Sequence, residues 1–189
     1  MPRRLIQAAT ILLAASALAS AQAPAPGEEV IVWSSTRTLD WKDFRAKPEG
    51  GALGGARIAI SHNYSIGCRD GVLQARVQTV MVPAMSWVTY RIQASGLASR
   101  VGLRHEQLHF DLAEVYARRV RKLLRELSNP CSHADDELNA MAERVIKEHW
   151  DQQRRYEVQT EHGQIERQQH DWDRRITAQL EELKAFSDG

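Results

Sequence analysis

Between Leu97 and Leu127 apolar side chains recur at every third or fourth position: Leu108, Leu112, Val115, Tyr116, Val120, Leu123, Leu124 and Leu127. That spacing gathers them into one stripe of a long α-helix, and Asn129-Pro130 stops it. A stripe of this length must be covered by other parts of the chain. A second helix is expected from about Asp135, with Leu138, Met141, Ala142, Val145, Ile146 and Trp150 on one side, and Gly163 ends or kinks it. A third carries Ile165, Trp172, Ile176, Leu180 and Leu183.

Upstream the period changes from about 3.6 to two. Val30–Trp33 reads as a first strand, Leu39–Phe44 as a capped helical turn, and the glycines at 50–51 and 54–55 as a loop. From Arg57, residues Ile58, Ile60, His62 and Tyr64 share one face. After the hairpin-type turn Arg69-Asp70-Gly71, Leu73, Ala75, Val77, Thr79 and Met81 alternate with polar neighbours. Pro83 ends that strand and marks a sheet edge, and Trp87–Ile92 reads as one more strand. The fold class is therefore α+β, a small antiparallel sheet followed by three long helices.

The first 21 residues have another purpose. Arg3 and Arg4 precede the apolar run Ile11–Leu18, and small residues at Ala19 and Ala21 suit cleavage before Gln22. Met1–Ala21 thus reads as a secretory signal. Cleavage after Ala23 is the alternative cut, disfavoured by Pro24, and a short N-terminal anchor the alternative role. Residues 22–29 form a flexible leader and 30–186 a single domain. Of 189 residues, 25 are Lys or Arg and 24 Asp or Glu, a formal charge of +1 that drops to −1 with the signal removed. This lacks the basic excess of a nucleic-acid binder, and no segment after the signal is apolar enough to span a bilayer. The expected location is the periplasm or the exterior. There the two cysteines, Cys68 and Cys131, are expected to form a disulfide, since they lack the close spacing of zinc thiolates. No Gly-rich phosphate loop or nucleotide fingerprint is present.

His105-Glu106-Gln107-Leu108-His109 is an H-E-x-x-H sequence inside the first long helix. Residues four apart sit one turn apart on one face, so His105 and His109 can offer two imidazoles to one metal ion. Glu106 projects about 100° round from His105 and can take a proton from water activated by the ion. Zinc needs a third protein ligand. Asp111 and Glu114 point away from the two histidines on this helix. Among the remaining histidines, His149 falls on the apolar seam of the second helix, His133 in a connecting loop, and His170 among solvent-facing residues. His62 shares a strand face with apolar residues and stays a candidate. His162 precedes Gly163 at a helix terminus, with Tyr156 and Glu161 nearby as an oxyanion donor and an alternative ligand. The third ligand is His162, His62 or Glu161 on these grounds.

Several of these elements recur together. Leu39–Phe44, Ser86-Trp87-Val88, His105–Asp111, Tyr156 with Thr160, His162 and Gly163, then Gln168 and Trp172 resemble a bacterial family of unknown function described as predicted secreted zinc-dependent proteases. The resemblance covers the chain from about Trp33 to Trp172. It implies a zincin-like peptidase, with His105, His109 and His162 holding Zn2+ and Glu106 as catalytic base. Glu157 departs from the Asp favoured at that position in the family, keeping the carboxylate.

The expected function is a secreted or periplasmic zinc peptidase acting on peptide or protein substrates, with an edge strand near Trp87–Ile92 aligning them. The competing expectation is a non-enzymatic envelope protein with a structural metal, whose polar helices from Arg144 to Glu182 bind a partner. A relic that binds no metal is a third.

Overall fold

The computed structural model describes residues 27–50 and 55–187. The proposed signal, most of the leader and the loop at 51–54 lie outside the described residues. The chain forms β1 (Ile31–Val32), β2 (Ala56–Arg57), β3 (Ile60–Arg69), β4 (Val72–Met81), β5 (Trp87–Val88), α1 (Tyr90–Gln93), α2 (Leu97–Glu126), α3 (Asp135–Thr160) and α4 (Glu166–Glu182), with short 3-10 turns between them. This is the expected α+β architecture of small antiparallel sheets and long helices.

β3 and β4 form a hairpin pairing Ile60 with Met81 at one end and Arg69 with Val72 at the other. The turn is Asp70-Gly71, both with positive φ (52° and 76°), the tight turn that matches strand twist and needs glycine or a short polar residue. β1 adds to the far side of β4, giving the order β1-β4-β3, and β2 pairs with β5 in a separate two-stranded ribbon.

Two expectations need correction here. β4 is the central strand, so Pro83 does not mark a sheet edge: it opens a 3-10 turn past the ladder, where its missing N–H costs the sheet nothing. Trp87–Ile92 is extended only at Trp87–Val88. From Tyr90 the chain turns into a short helix whose Ala94 N–H returns to the Tyr90 carbonyl.

The capped turn at Leu39–Phe44 is present as a 3-10 turn over Trp41–Asp43. The Asp40 side chain accepts from Lys42 N–H, and Asp43 reaches back to Asp40 N–H at 2.9 Å. Gln107 of α2 accepts from the Leu39 N–H at 2.7 Å, and Trp41 Nε1 donates to Ser99 at 2.8 Å. These bonds fasten the N-terminal segment onto α2.

α2 is the axis of the molecule. On one side Val77, Ile66, Val120 and Leu124 pack the sheet against it together with Leu138 and Ala142 of α3. On another, Leu108, Leu112, Val115 and Tyr116 meet Tyr156 of α3 and Trp172 and Ile176 of α4. Glu114 is buried in α2 but shared by Arg118 (3.0 Å) and Arg121 (2.5 Å), which supplies the partner a buried carboxylate requires. Cys68 at the end of β3 is bonded to Cys131 ahead of α3. Closing a loop of that size stabilises the fold by up to about 4 kcal/mol on the chain-entropy argument. Among the described residues no helix is long and apolar enough to cross a membrane.

Candidate metal centre

His105 and His109 stand one turn apart on the buried face of α2, 4% and 7% exposed. Their rings are nearly perpendicular, with centroids 4.7 Å apart, and their Nε2 atoms lie 3.1 Å from each other. α3, packed alongside, brings Glu157 to the same point. One of its oxygens is 3.1 Å from His109 Nε2 and the other 3.5 Å from His105 Nε2. Each of the three residues offers one ligand atom, and these atoms all lie within 4.8 Å of one another. His105, His109 and Glu157 form a group able to hold a metal ion.

The surroundings aim the imidazoles. Gln169 Oε1 lies 3.1 Å from His105 Nδ1, and Gln153 Oε1 lies 2.5 Å from His109 Nδ1. Amide oxygens only accept, so each Nδ1 carries the proton and each Nε2 keeps its lone pair for the point where Glu157 sits. Tyr156 is fully buried and stacks on His105 with ring centroids 4.7 Å apart and planes 22° from parallel. Its hydroxyl donates to the His105 carbonyl at 3.2 Å and accepts from Gln169 Nε2 at 2.7 Å. The tyrosine expected as an oxyanion donor thus lies on the Nδ1 side of His105, where it fixes both that ring and the amide that orients it.

The backbone takes part through Gly163. α3 ends in three consecutive residues with positive φ, Glu161 (46°), His162 (58°) and Gly163 (80°). A Cβ on Gly163 would stand 3.1 Å from Cγ and Nδ1 of His105. Only glycine lets the turn close against the imidazole. Thr160 secures that turn, accepting the Gly163 N–H at 3.2 Å and donating to the Tyr156 carbonyl at 2.8 Å.

Glu106 follows His105 directly and is 5% exposed. Its Oε2 accepts the Ile58 N–H at 2.9 Å, so the segment between β2 and β3 holds the carboxylate. Burial pushes its pKa up, and the neighbouring His109 and His105 pull it down, with a net rise. A carboxyl raised in this way is better placed than an ordinary one to take a proton near neutral pH. Burial also works to raise Glu157, but the facing imidazoles of His105 and His109, which donate to it whenever their Nε2 atoms carry a proton, outweigh burial and hold its carboxyl far below the usual range. For His109 burial opposes the charge, and the Glu157 carboxylate more than offsets it, raising the pKa.

His162 lies at the rim with its side chain 64% exposed, and its Nδ1 is 2.7 Å from Glu157. The structure therefore brings His162 against the carboxylate, outside the group of three. Glu161 is exposed. His62 is elsewhere, its Nε2 3.2 Å from Nδ1 of the buried His149. Asp111 and Glu114 do point away, Asp111 to Trp33 Nε1 (2.9 Å) and Gln107 (2.8 Å) and Glu114 to its two arginines.

Sequence reasoning did not place Glu157, Gln153 or Gln169 at the centre. One signal was available: His149, Gln153, Tyr156 and Thr160 step by four, three and four, a helical stripe, and all four are buried. Polar residues on an inward stripe need partners, and here Gln153 and Tyr156 find theirs at His105 and His109.

Residues 37–163 match the model of a bacterial protein family of unknown function, DUF922. No curated protein and no solved structure matches the chain. The matched segment begins beside the capped turn that docks on α2, contains all three residues of the metal group, and ends at the glycine packed on His105, whereas Gln169 and Trp172 lie beyond it. The chain belongs to the DUF922 family.

Proposed function

We propose that this protein is an exported zinc-dependent peptidase, with His105, His109 and Glu157 as metal ligands and Glu106 as general base. The observation that carries the reading is the convergence of two Nε2 atoms of α2 and the Glu157 carboxylate of α3, with the buried Glu106 carboxylate next to His105 in α2 and held by the Ile58 N–H. The donor set fits a metal: both Nδ1 atoms are occupied by amide oxygens and both Nε2 atoms are turned to the anion. Two imidazoles and a carboxylate suit zinc in the open form that catalysis uses. A bound divalent ion would polarise a carbonyl and acidify water. The chain's own residues do the rest: Gln153, Gln169 and Tyr156 lock the ligand rings, and Glu106, held by the Ile58 N–H, receives the proton of the attacking water and returns it to the leaving amine. Approach is from the side of Glu157 and His162, since Tyr156 packs against both imidazoles and His162 stands exposed at the rim beside Glu157.

A closed structural site, the basis of the non-enzymatic alternative, asks for four protein ligands. Among the described residues the group able to hold a metal has three, which favours catalysis.

The test is zinc content and hydrolysis of unfolded casein by wild type and Glu106→Gln. The substitution should keep the metal and lower hydrolysis by at least about 100-fold; undiminished hydrolysis would remove Glu106 from the role. Glu157→Gln and His162→Ala decide the third ligand. Zinc lost in the first and kept in the second is expected, and the reverse would assign the metal to His162.

A further inference from the structure

Away from the metal group, a cavity of about 260 Å³ opens between α2, α3 and α4. Arg119 of α2, Arg155 of α3 and Arg175 of α4 line it, joined by Gln152 and Gln179, and no carboxylate is among the lining residues. Leu112 and Trp172, both buried, supply apolar wall.

The three guanidinium groups come from three different helices, so no local spacing forces them together. Acids are close at hand but committed elsewhere: Asp151 pairs with Arg154, and Asp171 with Arg174 at 2.5 Å. Burial first, then the charges of Glu148 and Asp151, raise the Tyr116 hydroxyl, and among the described residues no ion pair joins either acid to the cavity arginines. Elsewhere on the same helix Arg118 and Arg121 share Glu114, and Arg104 takes Asp173 at 2.6 Å. Two of the cavity guanidinium groups lie over aromatic rings instead. Arg119 lies over Tyr116 at 4.5 Å and Arg175 over Trp172 at 5.3 Å. Such stacking orients a guanidinium without neutralising it.

Three like charges around one small space repel one another, and a bound anion relieves that repulsion. We propose that this cavity binds the phosphate group of inorganic phosphate or of a small phosphate monoester. Forked donors carried on three helices around one space suit a tetrahedral dianion with three free oxygens, whereas a planar carboxylate satisfies one or two forks. The glutamines add neutral donors, and the Trp172 and Leu112 wall accepts a few carbon atoms. Small-molecule pockets start at roughly 300 Å³, so the cavity suits a phosphate carried on a small body. Trp172 is in edge contact with Tyr156, ring centroids 5.4 Å apart, which in turn stacks on His105. Two aromatic rings therefore separate this cavity from the metal group, and the inference does not depend on the peptidase reading.

The experiment is isothermal titration of the full chain, stripped of metal, with inorganic phosphate and separately with glycerol phosphate. Arg155→Gln/Arg175→Gln is run alongside; both side chains are exposed and outside the metal group. Saturable binding with a Kd below about 1 mM is expected for at least one probe, weakened tenfold or more in the double variant. Tighter glycerol phosphate would identify a monoester as the ligand, and equal affinities the bare anion. No binding of either probe up to about 10 mM, or equal binding by the double variant, would overturn the proposal.

Discussion

Two close pairs of histidines, the second with a half-buried His62, are almost alike in shape and unlike in chemistry. His105 and His109 meet with ring centroids 4.7 Å apart at 89°, and His62 and His149 at 4.8 Å and 86°. The facing nitrogens are 3.1 Å apart in the first pair and 3.2 Å in the second. The first pair has Glu157 beside both facing nitrogens and an amide oxygen behind each ring. The second has no carboxylate partner among the described residues. Burial, with the charge of Arg121, lowers His62 to about 4, and burial with the fields of His62 and His109 takes His149 well below its ordinary value. Proximity of imidazoles does not by itself make a group able to hold a metal ion. An anion to balance the ion, and acceptors that fix which nitrogen is bare, make the difference.

Gln153 joins the two pairs and sets their direction. Its oxygen accepts the His109 Nδ1–H hydrogen bond, and its Nε2 donates to the His109 carbonyl (2.8 Å) and to His149 Nε2 (2.6 Å). His149 must then donate from Nδ1 to His62 Nε2, which leaves His62 Nδ1 carrying a proton, buried and without a protein partner. The first pair turns bare nitrogens toward an anion, whereas the second ends in an unanswered donor.

This contrast can be broken in three ways. The largest effect concerns acid. His62 is at 6.5 in the unfolded chain and about 4 when folded, so as pH falls the unfolded chain gains a proton that the folded one refuses. Stability is full above about pH 6.5 and declines toward pH 4, by about 3 kcal/mol in all. Urea unfolding as a function of pH should show that slope, and His62→Phe should flatten it; an unchanged slope would mean the second pair is not held neutral.

Next comes Gln153→Leu, which strikes both pairs. It should weaken zinc affinity by about 10- to 100-fold, the usual cost of losing a group that orients a ligand. Gln169→Leu should have a similar effect on zinc, read by competition with a chelating dye, while leaving the acid transition in place. The smallest is Gly163→Ala. An L side chain at φ 80° costs roughly 1–2 kcal/mol, visible as a lowered Tm, and its Cβ presses only on the first pair.

What the sequence made legible was whatever local spacing encodes. The hairpin followed from alternation around Asp70-Gly71, the helices from their apolar stripes, and His105 with His109 from a one-turn interval. The pairing of Cys68 with Cys131 followed from there being two cysteines in all. Glu157 was not legible in this way, because it reaches His109 only through the packing of α3 on α2. The neighbourhood of Thr160, His162 and Gly163 did mark the correct end of α3, for reasons now visible in the Thr160 bonds and the contact of Gly163 with His105. Trp87–Ile92 was misread because β-branched and aromatic residues suit a strand, while the Thr89 carbonyl accepts from Ile92 and Gln93 and turns the chain helical. His149 was read correctly as buried, but its partner His62 lies across the sheet–helix interface, beyond any local pattern.

The most direct test of the contrast is zinc stoichiometry by mass spectrometry in two double variants, His105→Ala/His109→Ala and His62→Ala/His149→Ala, beside wild type. The account predicts one equivalent of zinc in wild type and in the second variant, and none in the first. Zinc retained without His105 and His109, or lost only without His62 and His149, would contradict it.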